Sequence, residues 1–202
     1  TGEERQALLD AGLPQSGAVR LTARGSRSWP QGDLAPHLLG GTGPMNETQW
    51  QTLRDQGLPM DAEIGQWGVE SACDGLLRGR DGTLKVTADR STGAREQTVT
   101  QTPQAGNTLV LTLDADLQRT LRQALEAQME VLRTTRPAGK GREVRAAAAV
   151  VVDVRTGGIV AAVSLPGSDL SGWRQNYAAL THADGSPLVD RTLTGPYPPG
   201  SA

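Results

Sequence analysis

The most regular hydrophobic pattern in this chain lies just past its middle. Leu117, Leu121, Leu125, Met129 and Leu132 recur every three or four residues. That spacing lays one apolar stripe along a helix, with Asp114 as its N-cap and Pro137 beyond its end. Just upstream, Thr108 to Leu113 reads as the clearest strand of the first half. Downstream, residues 137–145 form a polar loop. Ala146 to Val154 is then a continuous run of small and β-branched residues, the pattern of a strand covered on both faces. Arg155-Thr156-Gly157-Gly158 turns that strand, and Ile159 to Leu165 returns antiparallel. Ser171 to Leu180 reads as a short helix, and the tail after Thr181 shows no periodicity.

The N-terminal half is patterned in shorter pieces. Glu3 to Leu9 carries helix formers and stops at Asp10-Ala11-Gly12. Gly17 to Trp29 alternates as a strand. Gln31 to Gly40 predicts a short helix capped by Asp33 and closed by Gly40-Gly41. Asn46 followed by Gln49 marks the start of a helix that runs to Gln56-Gly57. Ala62 to Leu77 reads as a further helical stretch. Thr83–Thr87 and Glu96–Thr100 flank a turn around Asp89 to Gly93, which makes a hairpin. The Pro/Gly break at Thr102 to Gly106 is the best boundary. The fold class is therefore α+β in two parts: a mixed domain over residues 1–104, then a strand, long helix and antiparallel hairpin over 105–202. Nothing repeats at a fixed interval, which excludes a solenoid.

Composition narrows the function. The chain has 202 residues, 25 of them Gly and 12 Pro, with four Trp, two Tyr and no Phe. The Gly and Pro share is above the ~12% of average chains and below the ~25–30% of disordered ones, as in a turn-rich protein. A core without Phe rests on Leu, Val, Ile and Ala. Trp29, Trp50, Trp67 and Trp173 are dispersed, so they read as fillers of that core and not as a sugar-stacking platform. Net charge is −2, with scattered arginines, so nucleic-acid binding has no electrostatic footprint. A single Cys73 excludes an internal disulfide and a Cys-based zinc site, and no metal or cofactor is expected. No apolar run is long enough to span a bilayer.

Several segments then line up. Arg27-Ser28-Trp29-Pro30 leads into Gly32, Leu34-Ala35 and His37-Leu38-Leu39-Gly40. Ile64-Gly65 leads into Gly68-Val69-Glu70, followed by Asp74-Gly75-Leu76-Leu77-Arg78-Gly79. Leu111-Thr112-Leu113-Asp114 precedes Leu117-Gln118. Val152-Asp153-Val154 precedes Thr156-Gly157 and Ile159. Pro187-Leu188 and Arg191 precede Tyr197-Pro198-Pro199-Gly200-Ser201. In this order and spacing the segments resemble the class B penicillin-binding proteins of cell-wall synthesis, with Trp29 where the family has Tyr. The resemblance covers nearly the whole chain.

The resemblance implies a pedestal, or dimerisation, domain over 1–104 and the opening of a transpeptidase domain over 105–202. It implies Ser201 as the nucleophile of a Ser-x-x-Lys motif whose Lys falls beyond Ala202. In the family this serine attacks a D-Ala-D-Ala stem peptide, and β-lactams acylate it. The 202-residue chain is accordingly expected to be inactive and to serve as a partner-docking region. Expected partners of the longer protein are stem peptides, β-lactams, glycan-polymerising membrane proteins and other wall-synthesis proteins. Self-association through the uncovered hairpin edge is also expected, with the protein at the extracytoplasmic face of the bacterial plasma membrane. Arg27, Gly32, His37, Gly65, Glu70, Asp74 and Arg191 are read as structural or interdomain residues. Arg27 and Glu70 form either a buried ion pair between two boxes or two separate surface charges. His37 is a packed or capping residue and His182 a surface loop residue. Asp153 is satisfied near its turn. The alternative is a stand-alone scaffold or binding module of the same machinery. A serine hydrolase of another kind is disfavoured, since the chain has no Gly-x-Ser-x-Gly elbow.

Overall fold

The computed structural model describes residues 27–195 except 90 and 94. The N-terminal helix and strand expected before Arg27, apart from the end of that strand, lie outside the described residues, as does Ser201. The chain is α+β. Its first described helix, α1 (Pro36–Leu39), is short. Pro36 occupies its first turn, which places the N-cap at Ala35, and no side chain caps it. Asp33 is not the cap. It lies too far upstream, and its carboxylate is held by Arg122 at 3.0 Å. Gly40 ends the helix at φ 81°, a left-handed turn that suits glycine.

The segment that follows is a compact weave. β1 (Thr42–Pro44) pairs antiparallel with β2 (Glu63–Gly65). Between them, α2 (Glu47–Leu53) begins with a full capping box. Asn46 Oδ1 accepts the Gln49 N–H, and the Gln49 side chain accepts the Asn46 N–H, each at 2.9 Å. A 3₁₀ turn (Arg54–Gln56) and left-handed Gly57 finish it. The continuous helix expected over 62–77 is instead β2, then α3 (Gly68–Ala72) and α4 (Asp74–Leu77). Glycines at 65 and 68 interrupt the helical period, and the strand pairing with Thr42–Pro44 takes the first residues.

β3 (Thr83–Ala88) and β4 (Arg95–Gln101) form the expected hairpin, with a bulge between Thr83 and Leu84. The strand expected over 108–113 is absent. Residues 105–111 run without regular structure, and Val110 is 87% exposed. A strand needs a ladder, and this segment reaches β6 at two points. Thr112 Oγ1 donates to Ile159 O at 2.7 Å, and the Asp114 N–H donates to Val160 O at 2.9 Å.

The long helix is α5 (Ala115–Thr135), capped by Asp114, whose Oδ1 accepts from Asp116 and Leu117 N–H groups. It lies on a two-stranded sheet of β5 (Ala147–Val152) and β6 (Ile159–Leu165). Met129, Val163 and Leu165 are buried together, with Leu121, Leu125, Val144 and Ala147 packed around them. Burial of Met129, Val163 and Leu165 contributes roughly 1.5–3 kcal/mol each. β5 is not covered on both faces among the described residues: Val150 and Val152, which share one face of the strand, stay about half exposed. A 3₁₀ turn (Leu170–Gly172) leads into α6 (Trp173–His182). His182 therefore ends a helix and is not in a loop. The tail, which shows no periodicity, carries one more short helix, α7 (Arg191–Thr194), capped by Asp190. No helix among the described residues is long and apolar enough to cross a membrane.

Candidate functional site

The residues singled out by the sequence motifs converge on a seam where the first half meets the second. Its centre is Gln118, 1% exposed on α5. Its side-chain amide donates to Ala162 O at 2.7 Å and to Leu34 O at 3.0 Å. Its carbonyl accepts the Ala162 N–H at 2.8 Å. One buried amide thus satisfies the inner edge of β6 and a carbonyl of the segment before α1. Leaving such groups unpaired would cost about 1–3 kcal/mol each. The sequence motifs include Gln118 but assign it no role. A signal existed: it lies on the helix face of Leu121, Leu125 and Met129, whereas Leu117 points partly to solvent at 37% exposure.

Arginines on α5 extend the seam. Arg122 Nη1 donates to both the carbonyl and the carboxylate of Asp33, and Arg119 reaches Gln31 Oε1 at 2.8 Å. Gly32 sits between them with its carbonyl accepting the Leu170 N–H at 3.1 Å. A Cβ on Gly32 would press on Asp169 and on Ser171, whose nitrogen lies 3.1 Å away. The glycine sits in a turn, its N–H donating to Trp29 O at 3.1 Å, and is also a close-approach residue.

The two boxes of the first half interlock through their own glycines. A Cβ on Gly68 would lie 2.6 Å from Leu38 O and 2.8 Å from Gly40 N. A Cβ on Gly65 would strike the carbonyl of Glu70 and lie 2.5 Å from Ser71 N. Asp74 Oδ1 accepts the Gly65 N–H at 2.9 Å, so a carboxylate at the start of α4 fastens the end of β2. Arg27 donates to Glu70 at 2.6 Å. The pair is formed, with the Arg27 side chain 39% exposed and that of Glu70 13%, so it is a half-exposed contact between the boxes.

On the far side, α6 returns to this segment. Arg174 donates to Thr42 O at 2.6 Å and to Glu63 Oε1 at 3.1 Å, bridging both strands of the β1–β2 pair. Trp173 meets Trp67 edge to face at 4.3 Å between ring centres, and Tyr177 lies 6.2 Å beyond. These aromatics, dispersed along the chain, come together in space. They are half-buried or exposed and line an open groove of about 190 Å³ with Pro36, His37 and Leu188. They do not fill the core.

His37 donates from Nε2 to Pro187 O at 2.6 Å. Arg191 donates to the carbonyls of Ser186, Val189 and Gly185. The hydroxyl of Ser164 links the same loop to β6: it donates to Val189 O at 3.0 Å and accepts the Arg191 N–H at 3.1 Å. Two carboxylates elsewhere are held low by turns. Hydrogen bonds from the hydroxyl and N–H of Ser91 bring Asp89 from 3.8 to about 2. The Arg155 N–H and side chain hold Asp153 below its ordinary value at the β5–β6 turn. No group of His, Cys, Asp and Glu among the described residues is arranged to hold a metal ion. The seam is thus polar stitching between backbone segments, not a set of reacting groups.

A model of the penicillin-binding protein dimerisation domain matches residues 3–111. The chain belongs to that family. Beyond it, the chain is similar to the peptidoglycan D,D-transpeptidase MrdA of Acinetobacter baumannii, with 31% identity over 188 residues, 91% of this chain and 25% of the relative. The MrdA of Escherichia coli K12 is 29% identical over 184 residues, 87% of this chain and 26% of the relative. The chain spans about a quarter of the length of these curated relatives. Among solved structures, a chain of a peptidoglycan synthase complex that coordinates polymerization and crosslinking superposes with a TM-score of 0.60 at 30% identity, covering 77% of this chain and 27% of that one. Penicillin-binding protein PBP2 from its Helicobacter pylori complex with MreC gives 0.62 at 22% identity, over 81% and 28%. At that identity the likeness speaks for the fold alone.

Proposed function

We propose that this chain is the pedestal and the opening of the catalytic domain of a bacterial cell-wall D,D-transpeptidase, with residues 1–104 as pedestal and 105–202 as the start of the transpeptidase domain. The observation that carries the reading is the reach of the similarity. Relatives named for that activity align over 91% of the chain, past residue 111 where the dimerisation-domain match ends. The seam supports it, because the boxes of the first half are the segments that dock on α5, β6 and α6.

In this reading Ser201 is the nucleophile. Its proton goes to a lysine amine one helical turn later, and its Oγ attacks the carbonyl of the penultimate D-Ala of a stem peptide. Backbone N–H groups stabilise the oxyanion, and the terminal D-Ala leaves. An amine from a second stem then resolves the acyl-enzyme. The 202-residue chain lacks that lysine and is inactive alone. Its role is to carry the catalytic domain at the extracytoplasmic face of the membrane and to dock glycan-polymerising and other wall-synthesis proteins. It also self-associates through the open β5–β6 edge.

The test is covalent labelling. A protein extended past Ala202 by the native reading frame takes up a fluorescent penicillin; its Ser201→Ala variant and the 202-residue chain do not. Labelling of the short chain, or a reading frame without the lysine, overturns the assignment.

A further inference from the structure

We infer that His37 and Arg191 are positioning residues that fix the loop at 183–190 and so make the reactivity of Ser201 depend on the docking of the first half. The inference rests on the function proposed above. The stretch from Ala183 to Asp190 has no helix or strand of its own. It contains two successive left-handed residues, Gly185 at φ 75° and the non-glycine Ser186 at φ 49°. A serine in that conformation persists where its surroundings over-determine it.

Those surroundings are side chains. Arg191 takes the carbonyls of Gly185, Ser186 and Val189, and Ser164 takes Val189 as well. These holders belong to the second half. Arg145, paired with Asp184, is a further holder from that half, whereas one anchor comes from the first half: Pro187, itself buried, gives its carbonyl to the ring of His37 at 2.6 Å, across 150 residues of sequence. A carbonyl accepts and cannot donate, so Nε2 carries the proton in this contact. The neighbouring Leu188 lies on the groove shared by Trp67 and Trp173, a second tie to the first half. The chain leaves this clamped loop through α7 toward Ser201. If the first half shifts, the Pro187 carbonyl loses its donor, and the segment that delivers the nucleophile loses a fixed origin. A displacement of 1 Å at a reacting atom costs on the order of 10²-fold in rate.

The experiment uses two readouts. Amide hydrogen exchange of the 202-residue chain is followed over 185–195, with β5 and β6 as internal reference. The second-order rate of acylation by a fluorescent penicillin is measured in the protein extended past Ala202. His37→Ala is expected to accelerate exchange over 185–195 about tenfold while β5 and β6 stay unchanged, and to slow acylation about tenfold. His37→Gln, whose amide can donate to the same carbonyl, is expected to restore both to within about threefold. Unchanged exchange in His37→Ala overturns the inference. So does equal acceleration in β5 and β6, which marks global loosening, and so does a failure of His37→Gln to rescue either readout. Altered loop exchange with unaltered acylation also overturns it. If the wild-type extended protein takes no label at all, the transpeptidase reading fails, and with it the link to catalysis; the exchange data then still decide whether His37 fixes the loop.

Discussion

Along the seam, side chains of one half end on backbone groups of the other; in the β3–β4 hairpin the ladder closes on itself. Gln118, Arg122, Arg174 and His37 each bridge segments far apart in sequence. The hairpin pairs Leu84 with Val99 and Val86 with Gln97, and its apolar face stays uncovered, with Leu84, Val86 and Val99 at 49%, 53% and 62% exposure. A lone two-stranded ribbon is marginally stable. The contrast teaches where stability and function are stored. The seam is polar and centred on the buried Gln118, and substitutions at that centre are expected to cost the most. The hairpin is exposed and tolerant, and its surface is free to meet something else.

The sharpest way to break this contrast is to remove the central stitch. Gln118→Ala strands the Ala162 N–H and two carbonyls. It should cost about 3 kcal/mol, lowering the midpoint of thermal unfolding by roughly 6–12 °C. A loss below about 1 kcal/mol in urea unfolding would show that the two halves hold without it. Gly65→Ala comes next. Its Cβ would meet the backbone of Glu70 and Ser71, which cannot yield as a flexible side chain would, and the expected cost is about 2 kcal/mol in the same assay.

Val99→Thr on the hairpin should sit at the other extreme, within about 0.5 kcal/mol of the parent, while reducing the binding of a hydrophobic dye. A large loss of stability there would mean that the apolar face is covered after all. The smallest effect is that of Asp89. Its folded pKa is about 2 against 3.8, so the turn gains stability above the unfolded value and loses it as pH falls from about 4 toward 2. Asp89→Asn should abolish that dependence, read as the Ser91 amide shift across an acid titration.

The elements that local chemistry decides were legible in the residues. Asn46 with Gln49, Asp114 ahead of a leucine stripe, and Arg155-Thr156-Gly157-Gly158 between two apolar runs specify their own caps and turns. Segments whose state depends on a distant partner were misread. Thr108 to Leu113 has strand composition but no ladder to join, and Ala62 to Leu77 is broken by glycines needed for close packing. Asp33 looked like a cap and serves Arg122 instead.

The amino-acid sequence by itself determined the α+β class, the long helix, both longer hairpins and the motifs that point to the family, because each rests on periodicity or on a turn residue acting within a few positions. Only the tertiary structure decided that Gln118 is the pivot, that Trp67 meets Trp173, and that His37 holds a loop far downstream. Those contacts are made between segments far apart in the chain, where local pattern carries no information about which donor will find which carbonyl.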